Sequence, residues 1–192
     1  MQPLQPLIDE LFTEMKSRLN EAESGLAYRD GDWLYHWAFV PPGQYRCWYR
    51  TPVNGGQSNC FLDENQLSSG KDYFRLGAMA VSPDGNKLAF TADDSGAERY
   101  RLYIRDLTTG EDSATTIDNI MGEVIWAADS KAVLYGLVNE NWRIDRIMRH
   151  NLGSEPATDR LIYQEPDQGF QARLSLSQSR QFIFITSSNH ET

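Results

Sequence analysis

A chain of 192 residues carries 27 acidic against 18 basic side chains, a net charge of −9, which disfavours nucleic acid and anionic membrane surfaces as partners. Its 40% apolar and 23% charged residues are ordinary for a globular chain long enough to bury a core. No apolar run reaches the ~18 residues of a membrane span, and the start, MQPLQPLIDELF, lacks the basic head and apolar middle of a signal peptide, so a cytoplasmic setting is expected.

In residues 4–22, LQPLIDELFTEMKSRLNEA, the residues Leu7, Leu11, Met15 and Arg18/Leu19 recur at steps of three and four, the period of a helix. Asp9 and Glu10 sit near its start, where the helix dipole favours acids, and Ser24-Gly25 marks the stop. One amphipathic helix is expected within residues 1–25, packing on a larger body. From residue 33 the period changes to two. WLYHWAFV sets Trp33, Tyr35, Trp37 and Phe39 on one side of a strand, and Pro41-Pro42-Gly43 breaks it. YRCWYRTPV, NGG and SNCFLDENQL follow, reading as further antiparallel strands joined by turns. The aromatics fit sheet-face packing better than a ligand cage. Cys47 and Cys60 fall on neighbouring strands of this region. A cross-strand bridge is open to them, but two reduced thiols are the favoured reading. With no CxxC motif and no His/Cys cluster, no metal and no cofactor are expected.

Beyond this hairpin region a unit recurs. MAVSPDGNKLAFTAD (79–93), EVIWAADSKAVLYGLV (123–138) and ARLSLSQSRQFIFITSS (172–188) each run strand, polar turn, apolar strand. Proline sets φ at the second position of the Ser82-Pro83-Asp84-Gly85 corner, and Asp and Gly tolerate the bend that follows. The other corners are Ala127-Ala128-Asp129-Ser130 and Ser177-Gln178-Ser179. A second motif keeps phase: LYIRDLTTGE (102–111) aligns with RIMRHNLGSE (146–155), and each is trailed by a weaker strand, DSATTIDN and DRLIYQE. Four antiparallel strands every ~40–50 residues are the signature of β-propeller blades, and no helix alternates with them as an α/β fold requires.

The expected fold is therefore mainly β: a partial, open propeller over residues 26–192. Its blades are placed at 33–67, 73–120, 123–165 and a truncated 172–192, about three to three and a half where a closed ring needs 4–8. An open arc exposes strand edges, so self-association through those edges is expected.

The order and spacing of YRDGDWLYHWAFVPPGQYRCWYR, SPDGNKLAF, LYIRDLTTGE, RHNLG and LIYQE resemble the N-terminal propeller region of the oligopeptidase B (protease II) group, within the prolyl oligopeptidase family of serine peptidases. The likeness covers about residues 7 to 192. It implies a parent that pairs this propeller with a C-terminal α/β-hydrolase domain carrying the Ser, Asp and His of a triad. In such enzymes the propeller limits access to short peptides, and cleavage follows Arg or Lys. No G-x-S-x-G elbow occurs here; SSG at 68–70 and DSG at 94–96 do not meet it. The hydrolase domain is thus expected to be absent from this chain, and no catalytic residue is carried over.

Three histidines remain to be weighed, His36, His150 and His190, and each is expected to be packed or solvated rather than catalytic. ADDSGAERYR (92–101) is an acidic loop beside Arg99 and Arg101. It suits either a solvated connection or a propeller face where two domains meet, and it lacks EF-hand spacing. LVNENWRIDRIMRH (137–150) offers Trp142, Arg143 and Arg146 for blade packing or for a partner. The leading expectation is the non-catalytic, substrate-gating part of a peptidase. The alternative is a stand-alone module that binds a protein or peptide, and a third possibility is an acylaminoacyl or dipeptidyl propeller peptidase.

Overall fold

A computed structural model describes residues 4–20, 22–189 and 191, in two compact units, Met1–Ser69 and Gly70–Thr192. The first opens with helix α1, Gln5–Ser17, which has proline in its first turn and closes as Leu19 N–H bonds the Lys16 carbonyl at 3.1 Å. The helix is shorter than 4–22 because this tighter turn ends the ladder at Ser17. None of its described residues is buried; Leu7, Ile8, Leu11, Phe12 and Met15 lie exposed along it.

Strands β1 (Tyr28–Asp30), β2 (Trp33–Phe39), β3 (Arg46–Pro52) and β4 (Asn59–Asp63) form an antiparallel meander in chain order. Tyr35 lies opposite Arg50 and Trp37 opposite Trp48, so the alternating aromatics share a face with arginines. The Arg50 guanidinium stacks over Trp33 at 4.2 Å and that of Arg46 over Trp37 at 4.4 Å, giving cations a π-face in a half-buried site. A five-residue helix, α2 (Glu64–Ser68), follows. Asp63 caps it by accepting the Asn65 N–H at 2.8 Å, and Trp48 Nε1–H donates to Glu64 Oε1 at 2.7 Å. Cys47 stands opposite Asp63 and Cys60 opposite Tyr49; both thiols are free, and burial pushes Cys47 up to about 11.

In the second unit β5 (Arg75–Val81), β6 (Lys87–Asp93), β7 (Tyr100–Asp106), β8 (Ile117–Trp126), β9 (Ala132–Val138), β10 (Ile144–Asn151) and β11 (Arg160–Gln164) form one antiparallel sheet, ordered β11-β10-β9-β8-β7-β6-β5. Strands β12 (Gln171–Leu176) and β13 (Ile183–Ser188) pair separately. The fold is thus mainly β with open sheets, the arrangement of a partial propeller. Strand β8 belongs to two repeats. Its first part pairs with β7 (Leu102 opposite Ile117) and its second with β9 (Trp126 opposite Val133). Asn119 at φ 61° and Gly122 at φ 76° bend it between the two, so chain passes from one repeat to the next without leaving the strand.

Each inner strand ends in the same corner. Ser82 N–H bonds Lys87 O, Ala127 N–H bonds Ala132 O and Ser177 N–H bonds Phe182 O, while the residue three places on bonds back to the first carbonyl. That third residue is left-handed in all three corners: Gly85 at φ 75°, Ser130 at φ 58° and Arg180 at φ 58°. Only glycine adopts this region without a Cβ clash. Arg180→Gly is therefore expected to raise stability by about 1 kcal/mol, read from the midpoint of urea unfolding at unchanged slope. A destabilisation would show that the arginine's own contacts outweigh the strain.

In the second unit buried side chains pack in clusters. Leu102, Ile120, Trp126, Val133 and Tyr135 pack between β7, β8 and β9, and Ile147, Ala172 and Leu174 pack β10 against β12. Each large side chain so buried contributes about 1.5–3 kcal/mol. No described helix is long and apolar enough to cross a membrane.

Candidate functional site

His36 and His150 fall in different units. His36 stacks on Tyr49 with ring centroids 5.1 Å apart on the first sheet, and His190 lies outside the described residues. His150, on β10, is buried, and its Nδ1 lies 2.7 Å from Asp159 Oδ1. A carboxylate can only accept, so Nδ1 carries the proton. The other carboxylate oxygen accepts the Tyr135 hydroxyl at 2.7 Å. The His–Asp half of a triad is present, but its third member is a phenol on the far side of the acid, and the histidine and aspartate side chains are 4% and 1% exposed. Such a group has no access to substrate. It ties the segment after β10, through the short 3-10 turn Pro156–Thr158, back onto β9 and β10. Asp159 and Tyr135 had no local signal in the chain, since they are 24 residues apart.

Burial, and then the hydrogen bond and charge of Asp159, push the Tyr135 phenol far above its ordinary value of 10.0. A raised folded value means that the native state keeps the proton the unfolded chain gives up. The stabilisation is complete below about pH 10 and is lost as pH rises beyond it. Urea titrations above pH 10 are expected to show stability falling with pH, and Tyr135→Phe should flatten that slope; an unchanged slope would exclude Tyr135 as its source.

The acidic loop 94–99 between β6 and β7 is organised by Asp93, which is 1% exposed. Its Oδ1 accepts from Ser95 N–H (2.9 Å), Ser95 Oγ–H (2.7 Å) and Gly96 N–H (3.1 Å), and its Oδ2 from Glu98 N–H (2.8 Å). Burial alone would push this carboxyl up, but those donors outweigh it and hold it below the usual carboxylate range. With both oxygens engaged by donors, Asp93 is a loop brace. Asp94 and Glu98 face Lys71 and Arg75 at 3.4 and 3.7 Å in solvent-exposed pairs, which contribute little stability. From the end of this loop the Arg99 guanidinium lies 4.8 Å over Trp142, which is 44% exposed and left-handed at φ 59°. Arg143 donates to the Gly169 carbonyl at 2.6 Å and Arg146 pairs with Asp145 at 3.2 Å. Of the basic and aromatic group around 142–146, Trp142 and Arg146 are thus both partly open to solvent.

The inner strands β5, β8 and β12 together wall a cavity of about 490 Å³. Met79, Val124, Ile125, Trp126, Leu174 and Leu176 supply its apolar lining, and Glu123 and Arg180 its charge. No cluster of three or more His, Cys, Asp or Glu side chains suited to a metal occurs among the described residues. The arrangement can present an apolar wall and charged loop tips to a peptide.

Over residues 1–192 the chain matches the family described as "Prolyl oligopeptidase, N-terminal beta-propeller domain". "Protease 2" of Moraxella lacunata is 30% identical, the match covering 100% of this chain and 29% of that protein. "Dipeptidyl aminopeptidase BI" of Pseudoxanthomonas mexicana is 29% identical, over 97% of this chain and 28% of that protein. The chain therefore spans less than a third of the length of these curated relatives. Among solved structures, oligopeptidase B from Leishmania major superposes with a TM-score of 0.90 at 23% identity, over 97% of this chain and 27% of that one. The closed, antipain-bound oligopeptidase B from Trypanosoma brucei gives 0.88, also at 23%, over 97% and 26%.

Proposed function

The chain belongs to the prolyl oligopeptidase family as its N-terminal β-propeller domain, and from that premise we propose that it is the non-catalytic, access-limiting part of an oligopeptidase B-like serine peptidase. The observation that carries this reading is the family match across all 192 residues, together with the same corner repeated on three successive inner strands. In the proposed whole, a hydrolase domain outside these 192 residues performs acyl transfer to serine and then to water. The propeller excludes folded and long chains by size, and its net charge of −9 draws basic peptides toward it. The exposed apolar stripe of α1 fits burial against such a second domain, because stripes of this kind are usually covered. A cytoplasmic setting belongs to the same reading, and the two free thiols are compatible with it. So does self-association of the isolated 192 residues, for which β5 and β11 supply the outer edges of the seven-stranded sheet.

The test is enzymatic. The gene is read past residue 192 for a G-x-S-x-G followed by Asp and His. Its full-length product is then assayed on Arg-, Lys- and Pro-containing fluorogenic dipeptides and on peptides of increasing length. Arg or Lys preference confined to short peptides is expected, with no hydrolysis by the 192-residue chain alone. A full-length product that cleaves long chains as readily as short ones would remove the gating role. The similarity to a protein named dipeptidyl aminopeptidase favours one second reading, a dipeptidyl type, which release of N-terminal dipeptides in the same assay would select.

A further inference from the structure

We propose that a pocket between β8 and β12 binds a small zwitterion, a free dipeptide with an apolar side chain, whose ammonium group meets Glu123 and whose carboxylate meets Arg173. The pocket has a volume of about 290 Å³ and an apolar floor of Met121, Ile144, Ile147 and Leu174, of which Ile147 is fully buried and Leu174 is 5% exposed. Gly136, also in its lining, lets Ile144 and the Met121 backbone approach closely. A Cβ on Gly136 would lie 2.7 Å from Ile144 Cγ2 and 3.1 Å from the Met121 carbonyl.

Glu123 and Arg173 stand on its rim, both exposed. Each lies four places before the first residue of its strand's corner, Ala127 and Ser177, so the two hold the same position on successive inner strands. Among the described residues neither side chain makes a hydrogen bond or ion pair. The neighbouring groove between β5 and β8 behaves differently. Its cation, Arg75, already pairs with Glu98 at 3.7 Å. The β8–β12 pocket is lined by both an anion, Glu123, and a cation, Arg173, beside its apolar residues.

Size and charge choose the ligand. Sites for drug-sized molecules run from about 300 to 1,000 Å³, so 290 Å³ suits one or two residues and not an extended peptide. An amine or an acid alone would satisfy one side of the rim. A zwitterion satisfies both, with the planar guanidinium taking a carboxylate by two parallel bonds. The inference stands on the pocket's own geometry and does not depend on the gating role.

Titration calorimetry of the full chain with Ala-Leu, with its N-acetylated and C-amidated forms, and with the doubly blocked form tests it. Saturable binding of free Ala-Leu is expected. Blocking either end, or making Glu123→Gln or Arg173→Gln, should each weaken it roughly ten- to hundredfold. Amidation should cost nothing further in Arg173→Gln, nor acetylation in Glu123→Gln, because each pair removes the same contact. Both residues are exposed, so the variants are expected to melt as the parent does, and circular dichroism checks this. Equal binding of the doubly blocked peptide, or no saturation below about 10 mM, would overturn the proposal.

Discussion

Replacing Asp159 by alanine is expected to cost about 2–6 kcal/mol of unfolding free energy, about 1–3 for each of the two buried donors left without an acceptor. The carboxylate is 1% exposed and accepts two hydrogen bonds of 2.7 Å, from Tyr135 and from His150. Truncation strands both donors away from water, and a buried donor without a partner carries its full desolvation penalty. Asp159→Asn keeps the shape but turns one amide N–H toward a donor, so roughly half the loss is expected, and Tyr135→Phe should cost about 1–2 kcal/mol. In an Asp159→Ala background Tyr135→Phe should add almost nothing, since its partner is already gone. Urea unfolding monitored by tryptophan fluorescence measures all four proteins. A cost under about 1 kcal/mol for Asp159→Ala would mean that the group is not a staple.

Trp126→Ala is the second large effect, also about 3–5 kcal/mol, the range for emptying a buried aromatic site. The indole is 5% exposed within the β7–β9 core, and its Nε1–H reaches the Ala80 carbonyl at 2.9 Å. That bond joins residues 46 apart, as does the bond from Asp84 N–H to Ser130 Oγ at 3.1 Å. Successive repeats are thus latched to each other twice at the inner strands. Trp126→Phe retains most of the apolar area but leaves the Ala80 carbonyl without its donor, so about 1–3 kcal/mol is expected. Hydrogen exchange separates a local from a global effect. Amides of β5 should lose protection more than those of β10–β11 in Trp126→Phe; uniform loss would count against a latch between repeats.

Much of this fold was legible in the chain. The period-two aromatics of 33–39, the recurring strand–corner–strand unit and the single N-terminal helix all come from local rules of alternation, turn chemistry and helical spacing. The corners show why: the same backbone bonds close at Ser82, Ala127 and Ser177 although only the first has the Pro-Asp-Gly signature. Less legible was α2, because five residues make a single turn and their stability comes from Asp63 and from contacts of Asn65 with Tyr45 at 3.0 Å. Nor could the chain announce that β8 serves two repeats, since in the fold Asn119 and Gly122 only bend a continuous strand.

The order of residues by itself determined the class of fold, the positions of the repeated corners and the family likeness, because these depend on neighbours within a few places of each other. Tertiary structure alone decided which polar groups meet. Tyr135 found Asp159, Trp126 found Ala80, and Glu123 came to line the same pocket as Arg173, through separations of 24, 46 and 50 residues. Pairings at that range follow from how strands register and sheets stack. A buried hydroxyl or carboxylate takes whichever partner the packing delivers, and no local pattern encodes that choice.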